Sequence, residues 1–237
     1  MRIAAVIPSR FQSTRFPGKP LAHIAGRSMV EMVYRRASAA GCFDAVIVAT
    51  DDARIADEVR RFGGIAEMTD NTIKSGTERV WAVIEKKDFD AVVNIQGDEP
   101  LIPEKLVSEV CRALAADAIV SAARHSDSYA DFCSRHVVKV VCDAENRALY
   151  FSRAPIPFAE KGSFHGFMQH IGIYGYTKEM LRLFVASGAV ELELDENLEQ
   201  LRFLFLGQPL RMIRTDFVSH GVDVPEDIIK IEKLLRS

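Results

Sequence analysis

The chain opens Met1-Arg-Ile-Ala-Ala-Val-Ile-Pro-Ser-Arg-Phe-Gln-Ser-Thr-Arg-Phe-Pro-Gly-Lys-Pro20. Arg2 to Ile7 is a short apolar run closed by Pro8 and Ser9, the pattern of a buried strand that runs into a loop. The loop, Ser9 to Pro20, is dense in Arg, Ser, Thr, Gly and Pro. The same kind of unit then repeats. Met29 to Ala40 has helical spacing, with Met29, Val33 and Ala37 on one face. Ala45 to Ala49 reads as a strand ending at Thr50-Asp51-Asp52, where Asp51 or Asp52 is placed to cap a helix that runs to about Phe62. Ile65 to Met68 reads as a strand, Glu78 to Glu85 as a helix, Ala91 to Ile95 as a strand, 103–115 as a helix and Ala118 to Ala122 as extended. Repeated β-α units predict a parallel sheet with helices on both faces. Ligands of such sheets lie beyond the carboxyl ends of the strands. The loops at 8–20, 50–52 and 96–100 all follow strands and are expected on one edge.

The second half has a different pattern. Val137 to Val141 and Ala148 to Phe151 predict a hairpin around Asp143-Ala144-Glu145-Asn146, and Ile171 to Tyr176 a further strand. Glu179 to Ala186 and Glu196 to Phe205 read as helices, Leu210 to Ile213 as a strand, and Pro225 to Leu235 as a terminal helix with proline at its start. Long linkers, repeats and low-complexity tracts are absent. The expectation is one α/β domain over 1–237 with an inserted antiparallel region at about 125–210.

The composition is that of a globular protein: 237 residues, 48% hydrophobic and 27% charged. The formal charge of -3 argues against a general nucleic-acid or anionic-membrane binder, both of which need a basic surface. The four cysteines, Cys42, Cys111, Cys133 and Cys142, have no CxxC spacing and read as reduced and structural, with no zinc framework. The first apolar run is too short for a signal peptide, and no apolar stretch approaches membrane-spanning length. The cytoplasm is the expected location.

Four motifs carry chemistry. The first loop sets Arg10, Arg15 and Lys19 among the small or flexible Ser13, Thr14 and Gly18. A polyphosphate needs this mixture of fixed positive charge and accessible backbone N–H groups. It is not a Walker A loop, which needs Gly where Ser13 stands and Ser or Thr where Pro20 stands. The plain alternative is a solvated basic loop. Second, Val93-Asn-Ile-Gln-Gly-Asp-Glu-Pro100 puts an acidic pair at the end of an apolar strand. Mg²⁺ commonly takes one or two protein carboxylates and fills its remaining positions with phosphate oxygens and water. The alternative makes Asp98 a cap for the helix near 103. Third, Gly221-Val-Asp-Val-Pro-Glu-Asp227 places Asp223 before a proline-initiated helix. Capping is its ordinary role there, and it becomes a metal candidate only if the fold carries it to Asp98. Fourth, Lys74-Ser-Gly-Thr-Glu-Arg79 opens a helix whose N–H groups suit a ribose or base edge, with a plain Ser75 or Thr77 cap as the alternative.

The ordered set PSRFQSTRFPGKPL, VATDD, SGTER, NIQGDEP, ALYFSR, HIGIYGY, LEQLR and GVDVPED resembles the 3-deoxy-D-manno-octulosonate (KDO) cytidylyltransferases of lipopolysaccharide synthesis. The resemblance runs along nearly the whole chain. It implies a Rossmann-like α/β fold of the nucleotide-diphospho-sugar transferase (glycosyltransferase-A) type, a homodimer joined through the inserted region, and transfer of CMP from CTP to KDO with Mg²⁺. Carried over by position, Pro8, Arg10, Ser13, Arg15 and Lys19 would take the nucleotide and its triphosphate. Ser75, Gly76 and Thr77 would hold the cytidine, and Asp98 and Asp223 the metal. Lys19, Arg10, Asp98 and Asp223 would be the catalytic set. Gln96, Arg153, His170, Tyr174, Glu199 and Gln200 would line the sugar pocket. Read without the resemblance, Arg153 is a surface ion-pair partner, His170 a core histidine, Tyr174 simple packing and Glu199 a helix-surface charge.

Three segments depart from that pattern. Ser134-Arg135-His136 stands where Asn-Pro-Asn is common, Gln169 where Arg is common, and Val190-Glu-Leu-Glu193 where Ser-Pro-Leu-Glu is common. All fall on the inserted or sugar side, and the nucleotide motifs are intact. A cytidylyltransferase for another acidic sugar, such as 8-amino-KDO or a sialic acid, is therefore the rival reading. A non-catalytic nucleotide-binding module is a second rival, although such a module is expected to lose Lys19, Asp98 or Asp223, and all three are present.

Overall fold

The computed structural model describes residues 1–12, 15–160 and 164–236. Its elements are β1 (Ile3–Ser9), a 3-10 turn (Lys19–Leu21), β2 (His23–Ile24), β3 (Arg27–Ser28), α1 (Met29–Ala39), β4 (Ala45–Thr50), α2 (Ala53–Arg61), β5 (Ile65–Met68), α3 (Gly76–Ile84), β6 (Ala91–Ile95), α4 (Glu104–Ala113), β7 (Ile119–Ser126), α5 (Tyr129–Cys133), β8 (Lys139–Cys142), β9 (Ala148–Ser152), β10 (Phe167–Thr177), α6 (Lys178–Ser187), α7 (Glu191–Glu196), α8 (Leu201–Phe205), β11 (Arg211–Arg214) and α9 (Pro225–Arg236).

The main sheet has the order β11-β7-β10-β6-β1-β4-β5, with the β8-β9 hairpin attached to β10. β5, β4, β1 and β6 are parallel, and their alternation of side chains splits the core in two. Ile3, Ala5 and Ile7 of β1 pack with α1, α2 and α4 on one face; Ala4 and Val6 pack with α3, α6 and α8 on the other. Asp52 caps α2 by accepting from the Arg54 N–H at 3.0 Å.

Two expectations are corrected. β7 continues the direction of the parallel strands but does not adjoin β6, because β10 lies between them and is antiparallel to both. The inserted region thus supplies a strand to the middle of the sheet. Side-chain periodicity reports burial, not neighbour order, so the sequence carried no sign of this. The helix expected over 196–205 is broken: α7 ends at Glu196, its C-cap Asn197 is left-handed (φ 51°), and α8 starts at Leu201. Asparagine tolerates that conformation better than most residues. Glu199 and Gln200 consequently sit in a turn, with Gln200 buried, and not on an exposed helix face.

Candidate active site

The three strand-end loops meet as expected. After β1 the chain turns back on itself through Gly18, whose N–H donates to the Phe11 carbonyl at 2.8 Å. Gly18 has φ +73°, and a Cβ there would lie 3.1 Å from the Phe11 ring, so both conformation and space favour glycine. The turn delivers Lys19 inward. Its Nζ donates to Asp98 Oδ2 at 2.8 Å and to the Val222 carbonyl at 2.7 Å, and lies 4.0 Å from Asp223 Oδ1. Arg15 grips Asp223 with both arms, at 2.9 and 3.0 Å. Arg10 reaches the Lys74 carbonyl at 3.2 Å and stands 3.6 Å from Asp51. Gly97 lets the end of β6 press on the end of β1, since a Cβ there would meet the Pro8 carbonyl at 3.0 Å. Ser13 lies outside the described residues.

These contacts decide between the readings of the acidic residues. Asp98 does not cap α4, whose cap position is Pro103. Asp223 does not cap α9 with its side chain; Asp227 accepts from the Asp223 and Val224 N–H groups instead. A backbone bond from Val222 N–H to the Asp98 carbonyl (2.9 Å) and the Ser219 hydroxyl on the Glu99 carboxylate tie the two segments together. Burial pushes Glu99 up to about 7, with the Ser219 hydroxyl pulling the other way. The carboxylates of Asp98 and Asp223, 125 positions apart, therefore share one ammonium group. Among the described residues no group of three or more His, Cys, Asp or Glu is arranged to hold a metal. Two carboxylates on an open polar wall fit Mg²⁺ whose remaining ligands come from a polyphosphate and water, and not a metal in an all-protein cage.

Above this wall lies a cavity of about 890 Å³, lined by Pro8, Arg10, Arg15, Lys19, Gly76, Arg79, Gln96 and Asp98 among others. Ser75 caps α3, accepting from the Glu78 N–H at 3.2 Å, so the capping alternative holds for its hydroxyl. Gly76 and Thr77 begin the helix, where N–H groups have no intrahelical partner. The sequence reading missed Arg79 and Asp51. Arg79 is fully buried in the cavity wall and donates to Asp51 at 3.0 Å, to the Ile73 carbonyl at 2.9 Å and to Thr69. Asp51 thus lies between Arg79 and Arg10. The signal was the Arg closing SGTER; an arginine in a helix reads as surface unless its partner, 28 residues away, is known.

The sugar-side candidates form a chain of contacts. The His170 ring lies 5.4 Å from Tyr174, whose hydroxyl donates to Gln200 Oε1 at 3.2 Å. Gln96 reaches β10, where a Cβ on Gly172 would lie 3.4 Å from its Cγ. Arg153 is not a surface ion-pair partner. It donates to the carbonyls of Glu196, Arg135 and Asn197 at 2.8, 3.1 and 3.2 Å. A guanidinium has five N–H donors, so Arg153 keeps donors beyond these braces. One departure has a structural role: Gln169 accepts from Arg124 at 2.9 Å. Glu193, which keeps the common residue at the end of the third segment, pairs with buried Arg202.

Burial pushes the half-buried His170 down to about 3, and its Nε2 meets the Ser121 hydroxyl at 2.9 Å. The unfolded chain takes up a proton near pH 6.5 that the fold refuses until about 3. This stability is complete above pH 6.5 and is lost as pH falls toward 3, by up to about 1.4 kcal/mol per pH unit. His170→Gln is expected to flatten the acid side of the stability profile between pH 6.5 and 4.5, measured by urea unfolding. Equal slopes in the two proteins would contradict it.

A sequence profile of the cytidylyltransferase family matches residues 4–213. The 3-deoxy-manno-octulosonate cytidylyltransferase of Geobacter metallireducens is 46% identical, covering 100% of this chain and 99% of that protein. The protein of the same name from Syntrophotalea carbinolica is 43% identical over 100% and 99%. This chain belongs to the 3-deoxy-manno-octulosonate cytidylyltransferase family. This cytidylyltransferase also superposes on a solved CMP:2-keto-3-deoxy-manno-octonic acid synthetase complexed with CTP, with TM-score 0.94, 35% identity and coverage of 100% and 99%. A 4-diphosphocytidyl-2C-methyl-D-erythritol synthase from Anaerococcus prevotii shares the fold at 15% identity and TM-score 0.67. The α/β nucleotide-sugar transferase fold is thus established for the cytidylyltransferase, and it is a nucleotidyltransferase. Among its described residues no helix is long and apolar enough to cross a membrane.

Proposed function

We propose that this cytidylyltransferase transfers CMP from CTP to KDO, releasing pyrophosphate, with Mg²⁺ held by Asp98 and Asp223. The observation that carries the residue assignment is the convergence of Lys19, Asp98 and Asp223 below a cavity walled by Arg10 and Arg15. The overall activity is that of the family to which the chain belongs. In the cell the reaction would feed lipopolysaccharide synthesis from the cytoplasm, where CTP is made.

The anomeric hydroxyl of the sugar attacks the α-phosphorus, and pyrophosphate departs. Side-chain nucleophiles have no part in this scheme. When bound, Mg²⁺ would neutralise phosphate charge and acidify the attacking hydroxyl. Arg15 and Lys19 exchange part of their contact with the two carboxylates for contact with the phosphates, and so offset charge on the leaving group. Arg10 adds charge from the far side of the loop. The α3 N-terminus receives the cytidine. Gln96, His170, Tyr174, Glu199 and Gln200 hold the sugar hydroxyls, and Arg153 offers its remaining donors to the sugar carboxylate. Their joint task is alignment of hydroxyl and phosphorus.

The test is pyrophosphate release from CTP and KDO, with and without Mg²⁺. UTP replaces CTP in one control, and N-acetylneuraminate or 8-amino-KDO replaces KDO in others. Release only with CTP, KDO and Mg²⁺ is expected. Release only with another acidic sugar would move the substrate and keep the mechanism. CTP binding without turnover of any sugar would overturn the enzymatic assignment.

The inserted region exposes Tyr129, Leu149, Phe158 and Leu194. We read these apolar side chains as part of a homodimer contact, the usual meaning of large exposed apolar groups set in one region. Light scattering is expected to give twice the 26.4 kDa chain mass. A monomer at micromolar concentration would refute this.

A further inference from the structure

Thr77 lies at the second position of α3, beside the nucleotide cavity, yet its side chain is turned away from solvent and is 3% exposed. Its hydroxyl donates to Glu199 Oε2 at 2.5 Å across 122 residues of sequence. Bonds of this length between a hydroxyl and a carboxylate are among the stronger hydrogen bonds in proteins. A threonine hydroxyl has a single proton. Given to Glu199, it is not available to a nucleotide. Tyr176, in contact with Thr77, stacks on Tyr174 at 5.8 Å with the rings 9° apart, and Tyr174 in turn holds Gln200. The start of the nucleotide helix and the turn carrying Glu199 and Gln200 are thus one hydrogen-bonded and stacked unit.

We infer that Thr77 is a positioning residue of the sugar pocket: its hydroxyl fixes the Glu199 carboxylate in the orientation that receives the sugar hydroxyls, while only its backbone N–H faces the nucleotide. This rests on the function proposed above and adds a division of labour within the helix start. Glu199 sits in the short turn between the left-handed Asn197 and α8, where the backbone is held by the Arg202 N–H on the Glu199 carbonyl (3.1 Å); the hydrogen bond from Thr77 is what fixes where the carboxylate itself points. Thr77 also makes the sugar pocket depend on the placement of α3.

The test compares Thr77→Val, Thr77→Ser and Glu199→Gln in the full-length enzyme. Thr77→Val keeps shape and loses the donor. It is expected to lower kcat/KM for the sugar roughly 10- to 100-fold, the range for a hydrogen bond to a charged group. The Kd for CTP, read by calorimetry in the absence of sugar, is expected to stay within about threefold. Thr77→Ser is expected to restore most of the loss, which a purely structural role of the γ-methyl would not. Thr77→Val placed on Glu199→Gln is expected to add little, because the same bond is already weakened. An equal rise in the Kd for CTP, an unchanged sugar kcat/KM, or full additivity with Glu199→Gln would overturn the inference. If Thr77→Val fails to fold, Thr77→Ala, which also removes the donor, replaces it alone and on Glu199→Gln, with the same readouts and Thr77→Ser as the rescue. The sugar used is whichever acidic sugar the wild-type enzyme turns over, so a wrong sugar would defeat the function proposed above and leave this comparison intact.

Discussion

Replacing Asp98 by Asn is expected to lower turnover by about 100- to 1000-fold, the scale lost when one preorganised electrostatic contact to a reacting phosphoryl or acyl group is removed. The substitution keeps the shape of the side chain and deletes its charge. Asp98 anchors Lys19 at 2.8 Å and shares that ammonium with Asp223, so losing its charge loosens Lys19, and under the function proposed above it would also take away a metal ligand and displace a cation meant for the triphosphate. The fold is expected to survive. Asp98 is about one-third exposed, and partly exposed ion pairs contribute about 1 kcal/mol or less. The turn it occupies is held by backbone bonds and by Gly97, which the substitution leaves alone. Steady-state kinetics and a melting curve together check this. Turnover within a few-fold of wild type would end the assignment of Asp98 as a metal ligand. A melting temperature lowered by more than about 8 °C would show that the residue acts through the fold.

Glu193→Ala is expected to destabilise the enzyme by about 3–5 kcal/mol, because it leaves a buried guanidinium without its counter-ion. Arg202 is almost wholly buried. It meets Glu193 with two bonds, at 2.5 and 2.6 Å, and donates to the Phe184 carbonyl at 2.9 Å while lying over the Phe184 ring. For a chain of this size such a loss lowers the melting temperature by roughly 6–20 °C. The double variant Glu193→Leu with Arg202→Leu is expected to be less damaging than Glu193→Ala, since an apolar pair has no charge left unpaired. The pair also joins α7 to α8 across the turn that holds Glu199 and Gln200, so sugar binding is expected to weaken with it. Loss of less than 1 kcal/mol in Glu193→Ala, measured by urea unfolding, would show that the pair is solvated and not buried.

Much of this molecule was legible from local pattern. The apolar runs ending at Ser9, Thr50 and Ile95 gave strands with ligand-facing loops, because a strand needs only a few neighbouring residues of the right kind to declare itself. The basic loop declared its chemistry too, since Arg10, Arg15 and Lys19 lie within ten residues of one another. The order of the motifs identified the family before any contact was known. Asp98 and Asp223 were nameable as a pair only through that resemblance; each alone had an ordinary capping role.

Tertiary structure decided the rest. It carried Asp223 to Lys19, paired Arg79 with Asp51, set β10 between β6 and β7, and broke the helix at Asn197 so that Glu199 met Thr77. In each case the deciding contact joins residues far apart in the chain, or depends on which strand lies beside which. Hydrophobic periodicity tells a residue that it is buried and hydrogen-bonding capacity tells it that it needs a partner, but neither names the partner. That choice is made when two core faces close over one sheet, and it is there that a set of ordinary caps, surface charges and core rings becomes a site.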